Sequence, residues 1–496
     1  MKNVNALLLS LVMVVVLLAG CGGNKNNEQA SSTASAKSSE SPSASASASS
    51  SASESNVYDN GLSKDDKVTL QMGFWEAGGG RAWMDLAVKK FTEKYPNVTF
   101  DITSTPTLNT ILEPKIAAGK DDDMFDLFIP HFLAPGQLDR LAHAGKLEPQ
   151  DDLWDRDLPG EPGKKLRSVI SDDAYETSLS VGFTARVPVN GYTAGLFFDQ
   201  KLFDEKGWNK NPATWDEFVA LLDQIKADGV IPITFPGVYA GYLTDYTFNI
   251  LQFDLAKANG SFDTYVKNFR DFEGPLLTTP ENKEAWNRMY EFGKKGYFPS
   301  GVAALNHTQS QMQVLQHKAA LVSTGDWVGN EMKETTPEGF KWGFMAIPAV
   351  NDPNQTVFVN SGVGDASFVI WKGKPDLNKK WAKEFILSLY DFEIQVSLAS
   401  EAGTYPGRLD FGEDPARIAK LQPTQAAVME YATKHNVEYI SYRHTFGLTS
   451  PEHGQAEKLL SEQITAAATG KKDPASVLEK AEKLKQIAIE KDRPKQ

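Results

Sequence analysis

The stretch Val68-Thr69-Leu70-Gln71-Met72-Gly73-Phe74-Trp75 alternates apolar and polar side chains, the period-two pattern of a strand with one face buried. Gly78-Gly79-Gly80 follows. Trp83, Ala87, Phe91 and Tyr95 then recur at helical spacing until Pro96 stops the run, and Val98 to Ile102 reads as a second strand. Strand, helix and strand within about 35 residues make a βαβ unit, which implies a parallel sheet. Met124 to Ile129 reads as a short buried strand and Thr193 to Phe198 as another.

The most legible segment is Tyr192 to Ile233. A strand ends at Asp199, Lys201 to Glu205 form a short helix closed by Gly207, and a longer helix opens at Pro212-Ala213-Thr214-Trp215. Thr214 and Glu217 have the spacing of a capping box, in which each side chain satisfies a backbone N–H at the other's residue. Trp215, Phe218, Leu222 and Ile225 form the buried face, and Val230 to Ile233 is the next strand. Near the end, Asp473 caps a helix with Pro474 at its first position, and Val477, Ala481, Leu484 and Ala488 face the core. The class is α/β, and no repeat of 20 to 50 residues is present.

The first residues follow another pattern. An apolar run from Ala6 to Gly20 is too short at about 1.5 Å per residue to cross a hydrocarbon core of about 30 Å, so residues 1–20 read as a signal peptide. The run ends in Leu18-Ala19-Gly20-Cys21, which resembles the lipobox of bacterial lipoproteins, and Cys21 is the only cysteine. The resemblance implies that Cys21 is acylated and becomes the mature N-terminus. Acyl chains bind a membrane by about 0.8 kcal/mol per buried methylene. From Ser31 to Ser55, 14 of 25 residues are serine and 6 are alanine. Such a stretch has too little to bury to offset its entropy, so residues 21–60 read as a lipid-anchored disordered linker.

Composition narrows the function classes. The chain has 496 residues, too long for a single core, and a net charge of −13 from 51 basic and 64 acidic side chains. Residues 1–56 carry three lysines and three glutamates, so the whole deficit lies in the body. An acidic body argues against nucleic acid, which needs a basic stripe. One cysteine excludes an intrachain disulfide and a Cys-based zinc site. The chain lacks GxxxxGK[ST], GxSxG and HExxH motifs, and its seven histidines stand singly. No metal or cofactor is expected. Asp121-Asp122-Asp123 and Asp151-Asp152 lack the calcium-loop pattern and read as solvated loops. Glycosidases stay open, because their paired carboxylates carry no short motif.

Aromatic side chains are abundant, with 10 Trp, 15 Tyr and 27 Phe, and several fall at strand ends or in loops. Trp75 ends the first strand; Tyr239, Tyr242 and Tyr246 share a loop with two glycines; Trp327 lies in Thr324-Gly325-Asp326-Trp327; Tyr405 lies in Gly403-Thr404-Tyr405-Pro406-Gly407-Arg408. Any one of these rings can serve a core. Together, beside carboxylates and amides, they offer what a pyranose needs: flat faces for its C–H groups and partners for its hydroxyls.

Four ordered stretches carry a family resemblance: Leu196 to Phe203 with Pro212 to Glu217, His317 to Leu321 with Gly325-Asp326-Trp327, Phe344 to Pro348, and Ala382 to Ile386. They resemble the extracellular solute-binding proteins of ABC importers, in the carbohydrate-type family that includes maltose-binding protein. The similarity runs from residue 66 to about 490; Phe198 and Leu321 depart from the usual tyrosine and methionine. It implies a two-lobed periplasmic-binding-protein-like fold of type II with multiple hinge crossovers, near Pro188 to Gly195, Trp342 to Ala349 and Asp391 to Gln395. Residues 61–190 and 345–393 then form one lobe, and 191–344 and 394–496 the other.

The same resemblance implies a non-enzymatic receptor, monomeric and tethered on the outer face of the cell membrane, that captures a carbohydrate and delivers it to an ABC permease. Its implied ligand-binding residues are Trp75, Glu76, His131, Phe132, Asn190, Tyr192, Tyr239, Tyr242, Asp326, Trp327 and Tyr405, with Arg408 a surface or lobe-packing residue. Gly325 to Met332 with Thr336 to Phe340 looks closest to members that bind N-acetylglucosamine and its short β-linked oligomers, while malto-, xylo- and pectin-derived sugars stay in play. The alternatives are an extracellular glycosidase and a surface lipoprotein with a scaffolding or peptide-binding role.

Overall fold

The computed structural model describes residues 56–494 apart from 77 and 365. The expected signal peptide, Cys21 and most of the expected linker lie outside the described residues. Within them, no helix is long and apolar enough to cross a membrane.

Two sheets organise two lobes. The first has the spatial order Val98–Thr105, Val68–Trp75, Leu127–Phe128, Ser367–Ile370, Val187–Pro188. Its opening βαβ unit is parallel, with Val68 opposite Val98 and Trp75 opposite Thr105, as the patterning predicts. The intervening helix Ala82–Lys94 buries Trp83, Met84, Ala87 and Phe91. The strand expected over Met124 to Ile129 contracts to Leu127–Phe128. The second sheet has the order Ile231–Thr234, Ala319–Gly325, Asn190–Asp199, Thr356–Val363, Asn436–Ile440, with Trp342–Met345 and Tyr405–Pro406 also paired to Asn190–Asp199. Here the central strand runs antiparallel to its neighbours, so this sheet is mixed.

Local capping mostly follows the sequence. Thr214 accepts a hydrogen bond from the Glu217 backbone N–H at 3.2 Å. The return bond differs: the Glu217 carboxylate accepts from Ala213 N at 2.7 Å, one residue before the expected position. At the last helix, Ala475–Asp492, Pro474 stands at the cap itself, and Asp473 accepts from Ala475 N at 2.8 Å.

Several expected boundaries shift. Tyr58 is not in a tether: its ring packs edge-on to Tyr95 and Trp381, and its hydroxyl donates to Asn97 at 2.8 Å, so folded structure begins before residue 60. The first crossover lies where expected, with Val189 alone separating the strands Val187–Pro188 and Asn190–Asp199. The second is not at Trp342 to Ala349. Trp342–Met345 and Thr356–Val363 both pair with Asn190–Asp199, and the chain changes sheet only between Val363 and Ser367. The third is not at Asp391 to Gln395 either. Ile394, Leu398 and Ala402 are buried in the core of the first lobe, and the chain reaches the hinge at Tyr405–Pro406, opposite Gly191 and Asn190. The lobe bounds implied by the resemblance thus misplace residues 345–363, which are partly strand, and 394–402, which are helical, because a local period identifies a strand or a helix without saying which sheet it joins or packs upon.

Asn190 stitches these segments together. Its backbone carbonyl accepts from Gly364 N at 2.8 Å, and its side-chain oxygen accepts from Ala366 N at 3.0 Å. Gly407 N donates to Val189 O at 2.9 Å. A Cβ on Gly407 would stand 2.5 Å from that oxygen, so only glycine permits the approach. Beyond it, Arg408 is a lobe-packing residue with a fully buried side chain. It is paired to Glu161 at 2.6 Å and Asp410 at 2.7 Å and lies over the Phe392 ring.

Candidate functional site

A cavity of about 440 Å³ lies between the lobes. Its wall is a succession of rings. Trp75 lies 4.0 Å from His131 between centroids, and His131 lies 3.8 Å from Phe132. Phe132 reaches across the cleft to Tyr239 at 5.7 Å. From there the series continues through His307 at 4.4 Å and Tyr242 at 4.7 Å to Tyr246 at 4.7 Å. Trp327 closes it, 5.8 Å from both Tyr246 and Tyr192.

Each ring is delivered by an identifiable local cause. Trp75 is the last residue of a strand, beyond which the chain turns sharply, with Gly78 and Gly80 at φ 63°. Its indole N–H donates to Pro106 O at 3.1 Å, so the protein consumes its polar edge and leaves a face for the cavity. Phe132 has φ 55°, a left-handed conformation rare for a bulky residue, and is 40% exposed. Trp327 follows the wholly buried strand Ala319–Gly325. Its ring lies over Gly325, where a Cβ would fall 2.1 Å from the indole. Only glycine admits that position.

Of the residues expected from sequence, Trp75, His131, Phe132, Asn190, Tyr192, Tyr239, Tyr242 and Trp327 line the cavity. Asn190 does so with its side-chain oxygen already committed to Ala366 N. Glu76, Asp326 and Tyr405 do not line it. The Glu76 carboxylate accepts from the Ser104 hydroxyl. Asp326 is fully buried behind Trp327: its carboxylate accepts from Thr193 N at 3.1 Å, its own N–H donates to Thr193 O at 2.9 Å, and its carbonyl accepts from the Thr424 hydroxyl at 2.6 Å. Burial pushes that carboxyl well above the usual carboxylate range, against the hydrogen bonds from Thr193 and Trp327. Asp326 therefore aims Trp327 rather than meeting a ligand. Tyr405 sits at the hinge with its hydroxyl donating to Gln425 O at 3.2 Å, while its neighbour Thr404 lines the cavity.

Sequence reasoning did not carry Tyr246, His307 or Glu331 into the site. Tyr246 belongs to the aromatic stretch expected as a loop from sequence, which the structure instead folds into the short helices Gly237–Tyr239 and Gly241–Tyr246. His307 opens the helix His307–Leu315 behind a capping box made by Asn306 and Gln309, a pattern legible in Asn306-x-x-Gln309 that says nothing of the cleft. Burial and the nearby His131 push its imidazole down to about 4, so it is neutral at physiological pH. Among the described lining residues none is lysine or arginine. Glu331 is the one acid there, and it accepts from the Gln311 amide. A further bond joins the lobes at the rim, where the Asn330 amide donates to Gly78 O at 2.9 Å. Such a wall can stack on the flat apolar face of a ring and surround it with few charges.

Residues 75–391 match the family described as bacterial extracellular solute-binding protein. The chain belongs to this family. A relative among these solute-binding proteins is the multiple sugar-binding protein of Streptococcus mutans, 23% identical over 312 residues, or 62% of this chain and 68% of that protein. Another is the diacetylchitobiose binding protein NgcE of Streptomyces coelicolor, 22% identical over 286 residues and 57% of each chain. Among solved structures, a chitin oligosaccharide binding protein superposes with a TM-score of 0.63 at 21% identity, over 85% of this chain and 99% of that one. At that identity the likeness establishes the two-lobed fold alone.

Proposed function

We propose that this solute-binding protein captures an uncharged saccharide between its two lobes and delivers it to an ABC permease, without acting on it chemically. The observation that carries this reading is the interlobe cavity, walled by aromatic rings from Trp75 to Trp327 and lined by no cation among the described residues. Anionic sugars are best held by arginine or lysine, and none stands there to pair with them. Membership of the family, and relatives named for binding sugars, support capture of a carbohydrate by an importer outside the cytoplasm. N-acetylglucosamine or a short chitooligosaccharide is the ligand we favour, in keeping with the residues Gly325 to Met332 and with two chitin-sugar binders among its relatives. The protein works as a monomer, held at the outer face of the membrane by an acylated Cys21. Capture is also the reading that family membership supports, and among the described lining residues Glu331 is the one carboxylate, where glycosidases use two across the scissile bond.

Titration of the mature body with five neutral sugars, N-acetylglucosamine, chitobiose, maltose, xylobiose and raffinose, and with galacturonate as an anionic control, followed by thermal shift and tryptophan emission, tests the proposal. Stabilisation by at least one neutral sugar, with none by galacturonate, is the expected result. Absence of any shift across the panel overturns it, and multiple turnover of a disaccharide would favour the glycosidase.

A further inference from the structure

His307 is held more firmly than a surface histidine has reason to be. Its ring stacks on Tyr239 with planes 12° apart and meets Tyr242 at 55°. The backbone beneath it is fixed by the reciprocal bonds of Asn306 and Gln309, at 2.9 and 3.0 Å. Despite lining the cavity, its Nε2 has neither solvent contact nor a hydrogen-bond partner. A buried polar atom left unpaired costs free energy, and natural proteins leave few of them without a functional reason.

We propose that His307 is the polar group that selects and orients the ligand, its Nε2, covered while the empty lobes are together, being uncovered as they part and then hydrogen-bonding a hydroxyl or amide of the saccharide on which they close. This rests on the saccharide-binding reading above and adds to it the atom that discriminates among sugars. The rings supply contact area tolerant of any pyranose face. Nε2 instead demands a polar partner at one point, and a ligand lacking that partner leaves the nitrogen unpaired in the closed cleft. Sites built around a buried hydrogen bond reject analogues without the matching group far more strongly than apolar walls reject a change of shape. Stacking holds the imidazole in place before the ligand arrives, so little freedom is lost on binding. The neutral imidazole keeps Nε2 available as acceptor or donor according to tautomer.

The test uses whichever of the five panel sugars binds the wild-type protein tightest, together with its monodeoxy analogues. In wild type, the His307 Nε2 nitrogen resonance moves when this sugar is added. His307→Phe keeps a flat ring and removes the nitrogen; it is expected to weaken the parent sugar by about tenfold or more. One monodeoxy analogue should bind wild type as weakly as the parent sugar binds H307F, and H307F should not distinguish the two. His307→Leu serves if the phenylalanine variant does not fold. An unmoved resonance, or variants that bind all analogues with wild-type ratios, overturns the inference while leaving saccharide capture intact. Failure of the wild-type protein to bind any of the five overturns both.

Discussion

Phe132 stacks on Tyr239 across the cleft, with ring centroids 5.7 Å apart and planes 23° from parallel. The two rings belong to different lobes and both are substantially exposed, at 40% and 43%. A contact of this kind contributes about 0.5–1.5 kcal/mol beyond the area it buries. It exists only while the lobes are together. Phe132→Ala should therefore favour the open arrangement and weaken the best-binding sugar by about two- to tenfold. Small-angle scattering of the unliganded variant is expected to give a larger radius of gyration than wild type. Identical scattering and affinity would show that the stack has no part in closure.

Gly325 and Trp327 are bound by sterics. A methyl on Gly325 would stand 2.1 Å from the indole, so Gly325→Ala must drive the ring out of its place in the wall. Overpacking of this sort costs about 1–3 kcal/mol. Both Gly325→Ala and Trp327→Ala are expected to lose about tenfold or more in sugar affinity, since buried aromatic anchors dominate binding energy. Calorimetric titration decides the matter. Wild-type affinity in either variant would remove Trp327 from the site.

Arg408 is the clearest case of a charge committed to stability. Its side chain is wholly buried between Glu161 and Asp410, and its guanidinium stacks 3.6 Å from the centre of the Phe392 ring. Removing one partner of a buried ion pair leaves the others uncompensated, which costs about 3–5 kcal/mol. Arg408→Ala should lower the urea midpoint accordingly, and a change below about 1 kcal/mol would contradict this account.

The same group predicts an acid dependence. Burial opposes ionisation of Asp410, but Arg408 and Lys164 outweigh it and hold its carboxyl below the usual range. The hydrogen bond from Arg408, reinforced by its charge and that of Lys164, overcomes burial and lowers Glu161 as well. For carboxylates depressed in the folded state, the stability they contribute is present above their unfolded values near 4 and is lost as pH falls through the folded values. The melting temperature should therefore drop as pH is taken below about 4, and Asp410→Asn should flatten that limb. Parallel melting curves for the two proteins from pH 7 to pH 2.5 would rule out the contribution.

Much of the cavity wall was legible because aromatic residues at a strand end or among glycines lie where periodicity does not account for them. Trp75 is visible at a strand end before glycines, and Tyr239 and Tyr242 in a glycine-punctuated stretch that reads as a loop but folds as the short helices Gly237–Tyr239 and Gly241–Tyr246. Asp326 shows where that reasoning stops. Its place beside Trp327 in the chain is shared by ligand contacts and by buried supports alike, and it is the hydrogen bonds to Thr193 that make it a support. Tyr405 is similar: strand pairing with Gly191 turns it toward the hinge rather than the cavity. His307 carries no sequence signal for binding, since a histidine inside a capped first turn is ordinary.

Local pattern alone, then, specified the parallel βαβ opening, the strands and helices between Tyr192 and Ile233 and the last helix, because those depend on side chains within a few residues of one another. Simple count also argued against nucleic acid and left no second cysteine for an intrachain disulfide. Which sheet received Thr356–Val363, where the chain crossed between lobes, and which rings met around one cavity depended on contacts between segments far apart in the chain. Burial in such contacts is set by the whole packed structure, and the period of a single segment carries no record of the partner it will meet.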